Sequence, residues 1–331
     1  MERIHRMMIV TATAAVWACV LPGMAVASTA AGTSRPAGCM TTIPVGDRPL
    51  AAAVDHRTGQ VYVANALDNT VSVISGRTGT VTATIPVGQL PQGIAVDQRT
   101  GRVYVANSSS DTVSVISRRT GTVEATIPVA GQPAGVAVDS RRHGTVYVTS
   151  ETGNAVSVIS GRTGAVTATV PVGKFPFGVA VSRRADAVYV ANEKSHSVSV
   201  ISARTGTVRA VIPVRGVPVG VAVSQRTGMV YVTSDGTDTV SVISGHTNIV
   251  VAVIRVGNAP TGIAADPRTG TIYVANETSN SVSVISGRTN TVVAVIRRIP
   301  SPAAIAVDPR SGAVYVANAF QNTVTVLTRT C

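Results

Sequence analysis

The stretch GIAVDQRTGRVYVANSSSDTVSVISRRTGTVEATIP, residues 93–128, holds four short runs rich in β-branched residues at 93–96, 103–106, 113–116 and 123–127. Turn chemistry separates them: Asp-x-Arg-Thr-Gly after the first, polar residues behind an Asn after the second, Arg-Thr-Gly after the third, Pro after the fourth. The unit recurs seven times. Its tyrosine falls at Tyr62, Tyr104, Tyr147, Tyr189, Tyr231, Tyr273 and Tyr315, 42 residues apart except for one step of 43 at the longer Arg142-His143 turn. Four strands in about 42 residues is the size of a propeller blade, not of a β-helix coil or a helical repeat. The expected fold is therefore all-β: a seven-bladed β-propeller with four antiparallel strands per blade.

Strand order follows from residue type. The fourth run carries Pro44, Pro86, Pro128, Pro171 and Pro213 at one register position, and a proline inside a strand is tolerated mainly at a sheet edge, so this run is the outer strand. The first run, Ile/Val-Ala-Val behind a glycine, is small enough for the crowded axis. Blade 7 supplies only three runs before the chain ends, while residues 42–46 (TIPVG) repeat residues 84–88. The N-terminal strand is expected to complete the last blade.

Tyr-Val-Ala-Asn or Tyr-Val-Thr-Ser, then Asn/Asp-Thr-Val-Ser-Val-Ile-Ser, then Thr-Ile-Pro-Val-Gly, resembles the YVTN β-propeller repeat family, which includes YncE-like and bacterial surface-layer proteins. The resemblance covers the chain from about residue 39 onward. It implies a secreted or cell-surface binding or scaffolding propeller, with nucleic acid among the ligands suggested for such proteins, and its motif brings no catalytic residue. Aligned on the repeat, Cys331 takes the place of Thr78 and Cys39 that of Val81, across a tight turn in the continuous blades. Such residues lie within about 7 Å, so a Cys39–Cys331 disulfide is expected.

The composition is 45% hydrophobic, 3% aromatic and 13% charged, which excludes a disordered chain and a coiled coil. Beyond the N-terminus no apolar run approaches the ~18 residues a membrane span needs. Arg3 and Arg6, an apolar run over 7–21, and Ala25-Val26-Ala27 together read as a secretory signal peptide over 1–27. Residues 28–38 would form a short linker, 39–331 the propeller. Cys19 sits in a poor lipobox, behind Trp17. Cleavage would leave no membrane anchor and reduce the formal net charge from +12 to +11, with loss of Glu2, Arg3 and Arg6. The mature protein is expected outside the cytoplasm, as a monomer.

In a propeller the inner-to-second and third-to-outer turns share one face, here the bottom. The second-to-third turns and blade connections share the other, the top. Sixteen arginines fall on the bottom, among them Arg57, Arg99, Arg118, Arg119, Arg141, Arg142, Arg183 and Arg184, against six aspartates. This ring either binds a polyanion such as teichoic acid, nucleic acid or anionic lipid, or consists of solvated turns in which each Asp caps and each Arg pairs locally. The absence of interleaved aromatics favours the second reading.

The top face differs from blade to blade. All three phenylalanines, Phe175, Phe177 and Phe320, map there, and Glu151, Glu193, Asp235 and Glu277 hold one position in four successive blades. Aromatics beside an acidic arc suit a cationic or amphiphilic ligand, or a divalent cation; the alternative reading is hydrophilic loops in which a few apolar residues plug the channel mouth. Asn65, Asn107, Asn192, Asn276 and Asn318 end second strands and are expected to cap their turns. No catalytic set, metal-ligand set or cofactor motif is found: the mature chain has four histidines, of which only His196 maps to the top. The sequence thus points to a binding propeller for an unknown protein, surface polymer or small ligand. The alternative is a lactonase- or lyase-like enzyme using His196 with Glu193 or Glu151.

Overall fold

The structure, a computed structural model, describes residues 39–142 and 144–328. The signal segment, the linker, His143, Arg329 and Cys331 lie outside the described residues. Seven four-stranded antiparallel sheets form, six of them in simple chain order and the seventh made of 302–307, 314–318 and 323–327 with 40–44 as its fourth strand. The inner strand of each blade adjoins those of both neighbours, and that of blade 1 meets that of blade 7, so the ring is closed. Two 3-10 turns, Ser108–Ser110 and Glu193–Ser195, are the only helical elements among the described residues.

The strands are apolar on both sides because each sheet is sandwiched between two others. Seven buried clusters result, each shared by two adjacent blades; one joins Tyr189, Val198 and Val200 of blade 4 to Val230, Val232 and Ile243 of blade 5. The tyrosine is the spacer at these interfaces. The hydroxyl of Tyr231 donates to Asn290 Oδ1 at 2.9 Å, and that of Tyr189 to Asn248 Oδ1 at 3.1 Å, each in the third-to-outer turn of the next blade. Asn248 and Asn290 stand where other blades have a glycine, at φ 57° and 55°, a conformation Asn tolerates better than most residues.

Close approach at the axis explains the glycine of the inner strands. A Cβ on Gly135 would lie 2.2 Å from the carbonyl oxygen of Phe177 in blade 4, and one on Gly178 2.2 Å from that of Val219 in blade 5. At the rim, Pro44, Pro86, Pro128, Pro171 and Pro213 end outer strands with exposed rings.

The closing strand differs in one detail from the copies it imitates. In six blades the third-to-outer ladder shifts register near the bottom, as between Val73 and Ile74, whereas the ladder from Pro44↔Thr323 to Met40↔Leu327 runs without a shift. Cys39 therefore lies opposite Thr328, whose N–H donates to Cys39 O at 3.0 Å. That is one step from the pairing which alignment on the repeat suggests.

Burial of the tyrosines carries a pH dependence. Desolvation pushes the Tyr62 and Tyr147 phenols up to about 12, reinforced by Asp55 and Asp139 respectively, and raises Tyr104, Tyr189, Tyr231 and Tyr315 as well. The unfolded chain ionises its tyrosines near 10 and the folded chain retains those protons, so stability falls as pH rises from 10 towards 12. Tyr62 and Tyr147 alone account for roughly 2–3 kcal/mol each over that range. An alkaline titration should show phenolate absorbance and loss of β-structure rising together above pH 10; phenolate forming near pH 10 in an intact fold would contradict this.

Candidate functional site on the top face

The top face is built from two sets of latches to the connections between blades, one from the second-to-third turn of the preceding blade and one from that of the blade the connection enters. Asn69 Oδ1 accepts the N–H of Leu90 at 2.9 Å, and the equivalent bonds join Asp111 to Gln132, Asn154 to Phe175, Asp238 to Ala259, Asn280 to Ser301 and Asn322 to Arg48. The six residues so held have φ between 42° and 57°, although each precedes a proline, which disfavours helical backbone of either hand. The second latch runs to their carbonyls: Glu151 N–H donates to Gln132 O, Glu193 N–H to Phe175 O and Glu277 N–H to Ala259 O. The two sets fix the backbone of the residues that vary most between blades.

The acidic arc is not uniform. Glu151 and Glu193 are buried, at 7% and 8% exposure, while Asp235 and Glu277 are half-buried. Asp235 extends its strand and turns back to accept the N–H of Gly236 at 2.8 Å. Two of the three aromatics receive a cation from the chain itself. Lys194 Nζ lies 4.3 Å from the centre of the Phe175 ring and the Arg48 guanidinium 5.4 Å from that of Phe320. Phe177 is half-buried, and its carbonyl accepts Thr149 Oγ1 at 2.8 Å, across the blade 3 to blade 4 boundary. The structure thus places all seven residues of the expected ligand set on elements of the top face. Lys194 and Arg48 join that face as ring partners whose stacking the sequence did not reveal.

The five asparagines do not cap turns. Asn65 is fully buried and its Nδ2 donates to Thr70 Oγ1 and Ser72 Oγ on the third strand, at 3.0 and 2.9 Å. Asn107, Asn192, Asn276 and Asn318 do the same in their blades. The residues that do hold the turns to the blade connections are Asn69, Asp111, Asn154, Asp238, Asn280 and Asn322, and their signal in the sequence was the Asn or Asp standing just before Thr-Val-Ser-Val or its variants. Blade 4 has His196 there. Its Nδ1 lies 2.6 Å from Gly216 O in the one connection whose pre-proline residue, Val217, is not left-handed; Gly216, φ 75°, takes that conformation instead, one residue earlier. His196 therefore substitutes for the latch, and one of its ring nitrogens is committed to backbone. Among the described residues no three His, Cys, Asp or Glu side chains come together as a metal ligand set.

On the bottom face the turns are stitched around the ring. Asp55, Asp97, Asp139, Asp266 and Asp308 each accept the N–H of the residue two further on. Arg57 reaches the carbonyl of Arg99, Arg184 that of Arg226, Arg226 that of Arg268 and Arg310 that of Arg57. Arg118 pairs with the fully buried Asp55 at 2.7 Å. Burial pushes the Asp55 carboxyl up, but Arg118 and the backbone N–H groups of Arg57 and Thr58 hold it below its ordinary value. Arg142 pairs with Asp186. Arg99, Arg119, Arg141 and Arg183 are exposed. A cleft of about 610 Å³ opens beside Arg118 and Arg119, and also takes in Arg102, which is bonded to Glu124 and to Gly161 O.

Fold and faces together define the class: a seven-bladed β-propeller with a near-uniform bottom and a variable top. Over residues 8–134 the chain matches the family model described as YNCE-like beta-propeller. No curated protein matches it. Among solved structures, a chain of Kuenenia stuttgartiensis hydrazine synthase superposes with a TM-score of 0.77 over 86% of this chain and 97% of that one. At 21% identity this is a likeness of fold alone.

Proposed function

We propose that the protein is a secreted or cell-surface binding propeller without chemistry of its own, cleaved near Ala27, which takes a cationic or amphiphilic ligand at the top mouth of the ring. One observation carries this reading. Six bottom arginines, Arg57, Arg118, Arg142, Arg184, Arg226 and Arg310, are tied to neighbouring blades, whereas the top carries acids and aromatics that differ between blades on a latched backbone. Carboxylates and aromatic rings carried on one rigid face attract cations bearing an apolar body. The Cys39–Cys331 disulfide belongs to the same proposal, since secretion supplies the oxidising compartment.

Two experiments separate this reading from its rivals. The first screens the mature protein, His196→Ala and Glu193→Ala for esterase, lactonase and lyase turnover; no turnover above blank is expected, and activity that vanishes in either variant would replace the binding reading with an enzyme. The second titrates binding to duplex DNA and to teichoic acid against salt. Weak binding with a shallow salt dependence is expected, because counterion release is steep only where many cations meet phosphates. A steep loss of affinity that is abolished in Arg119→Ala with Arg141→Ala would move the function to the bottom face.

A further inference from the structure

The outer strands of blades 5 and 6 break the pattern that protects the other rims. Where blades 7, 1, 2, 3 and 4 end this strand on a proline, blade 5 has Arg255 and blade 6 has Arg297. Where blades 1, 2 and 3 present Thr or Glu to solvent, as at Thr82, Glu124 and Thr167, blade 5 presents Val251 and Val253, each 52% exposed, and blade 6 presents Val293 and Val295 at 59% and 43%. Ile249 extends the stripe at 62% exposure, and the two strands adjoin at the rim.

The backbone at this edge is open as well. Val256 donates its N–H inward to Asp238 O at 3.0 Å, so by the alternation of an antiparallel ladder Arg255 and Val253 turn theirs outward. Val87 donates inward to Asn69 in the same way, which puts the nitrogen of Pro86 on the outward side, where proline removes the donor and blocks a further strand. Blade 5 therefore combines outward donors and acceptors with β-branched side chains, the combination that receives an added strand.

We propose that this edge binds an extended segment of a partner protein, rich in β-branched residues and carrying acids, as a strand added to blade 5 with the valines of blade 6 beside it. The site is distinct from the top mouth. Charge selects the occupant: Arg255, Arg297 and Arg298 are exposed, and the outer strands of blades 4, 5 and 6 contain no acid. A second copy of the mature protein would bring the same arginines and another formal charge of +11, the full-chain +12 less Arg3, Arg6 and Glu2.

The test titrates the mature protein with a fluorescent peptide, Glu-Val-Thr-Val-Glu-Val-Glu, and with its counterpart bearing Lys for each Glu. The comparison protein is Arg255→Pro with Arg297→Pro, which restores the residue five blades already carry and removes only an outward N–H and a charge at each site, so the fold should persist and the melting temperature stay near wild type. The acidic peptide should bind saturably, at least about tenfold more weakly to the variant, and the lysine peptide should not bind. Equal binding to both proteins, or no saturable binding of the acidic peptide, would overturn the proposal. So would a concentration-dependent dimer in sedimentation that the two prolines abolish, because the occupant would then be a second copy.

Discussion

Replacing Tyr231 with alanine should destabilise the protein by about 3–5 kcal/mol, the range for deleting a buried aromatic side chain. The tyrosine is 0% exposed, and it packs with Val240 and Val242 against Ile272, Val274 and Ile285 of blade 6. Its removal would leave a void at a blade boundary that rigid sheets cannot close by collapse. Tyr231→Phe separates packing from the hydroxyl: it forfeits only the bond to Asn290, about 1 kcal/mol. Urea titrations of the three proteins check both values. A loss below about 1 kcal/mol in the alanine variant would mean that the interfaces between blades are not what holds the ring.

Reducing the protein should lower its stability by roughly 5–6 kcal/mol if Cys39 is joined to Cys331, since the bond would close almost the whole mature chain in the loop-entropy description. The closing strand shows why the effect should be local as well as global. Residues 40–44 pair only with 323–327, and Ile43 is the residue they contribute to the buried cluster between blades 7 and 1. Without a covalent tie, this strand can fray from an end of the chain, which no other outer strand can do. Melts with and without reductant, with hydrogen exchange read at residues 40–44, test the point. An unchanged melting temperature together with two alkylatable thiols would contradict it.

Much of the architecture is legible in the sequence because it rests on patterns repeated seven times. Tyrosine spacing gives the blade count, and Pro44 through Pro213 mark the outer strand. The repeat of 84–88 at 42–46 shows how the ring closes. These features depend on contacts within one blade, where local sequence and hydrogen-bond ladder report the same thing. The latches from one blade to the next were not legible, because they join residues 21 apart, or 274 at the ring closure, whose meeting depends on how blades stack. Asn65 shows the difficulty: it ends a strand before a polar turn, the usual place for a turn cap, yet its amide points inward to Thr70 and Ser72. Likewise Gln98 bonds back across a blade boundary to Val54 O and to the N–H of His56.

For the candidate site, the sequence placed seven candidate residues on one face but did not show what each of them bonds to. Glu151, Glu193, Asp235 and Glu277 hold equivalent positions, yet Asp235 serves its own turn because blade 5 replaces the usual connection with Gly216-Val217. A β-branched Val217 is poorly suited to the left-handed backbone that its counterparts adopt, so the glycine beside it does so instead and His196 takes up the contact. One local substitution thus changes both an acid and a histidine that looked functional.

Calorimetric titration with hexyltrimethylammonium, a cation with an apolar tail, tests the central claim most directly. The account predicts saturable binding to the mature protein, weakened at least tenfold in Glu193→Gln with Phe175→Ala and unchanged in Arg119→Ala, which alters only the bottom face. Absence of binding, or binding indifferent to the top-face pair, would contradict it.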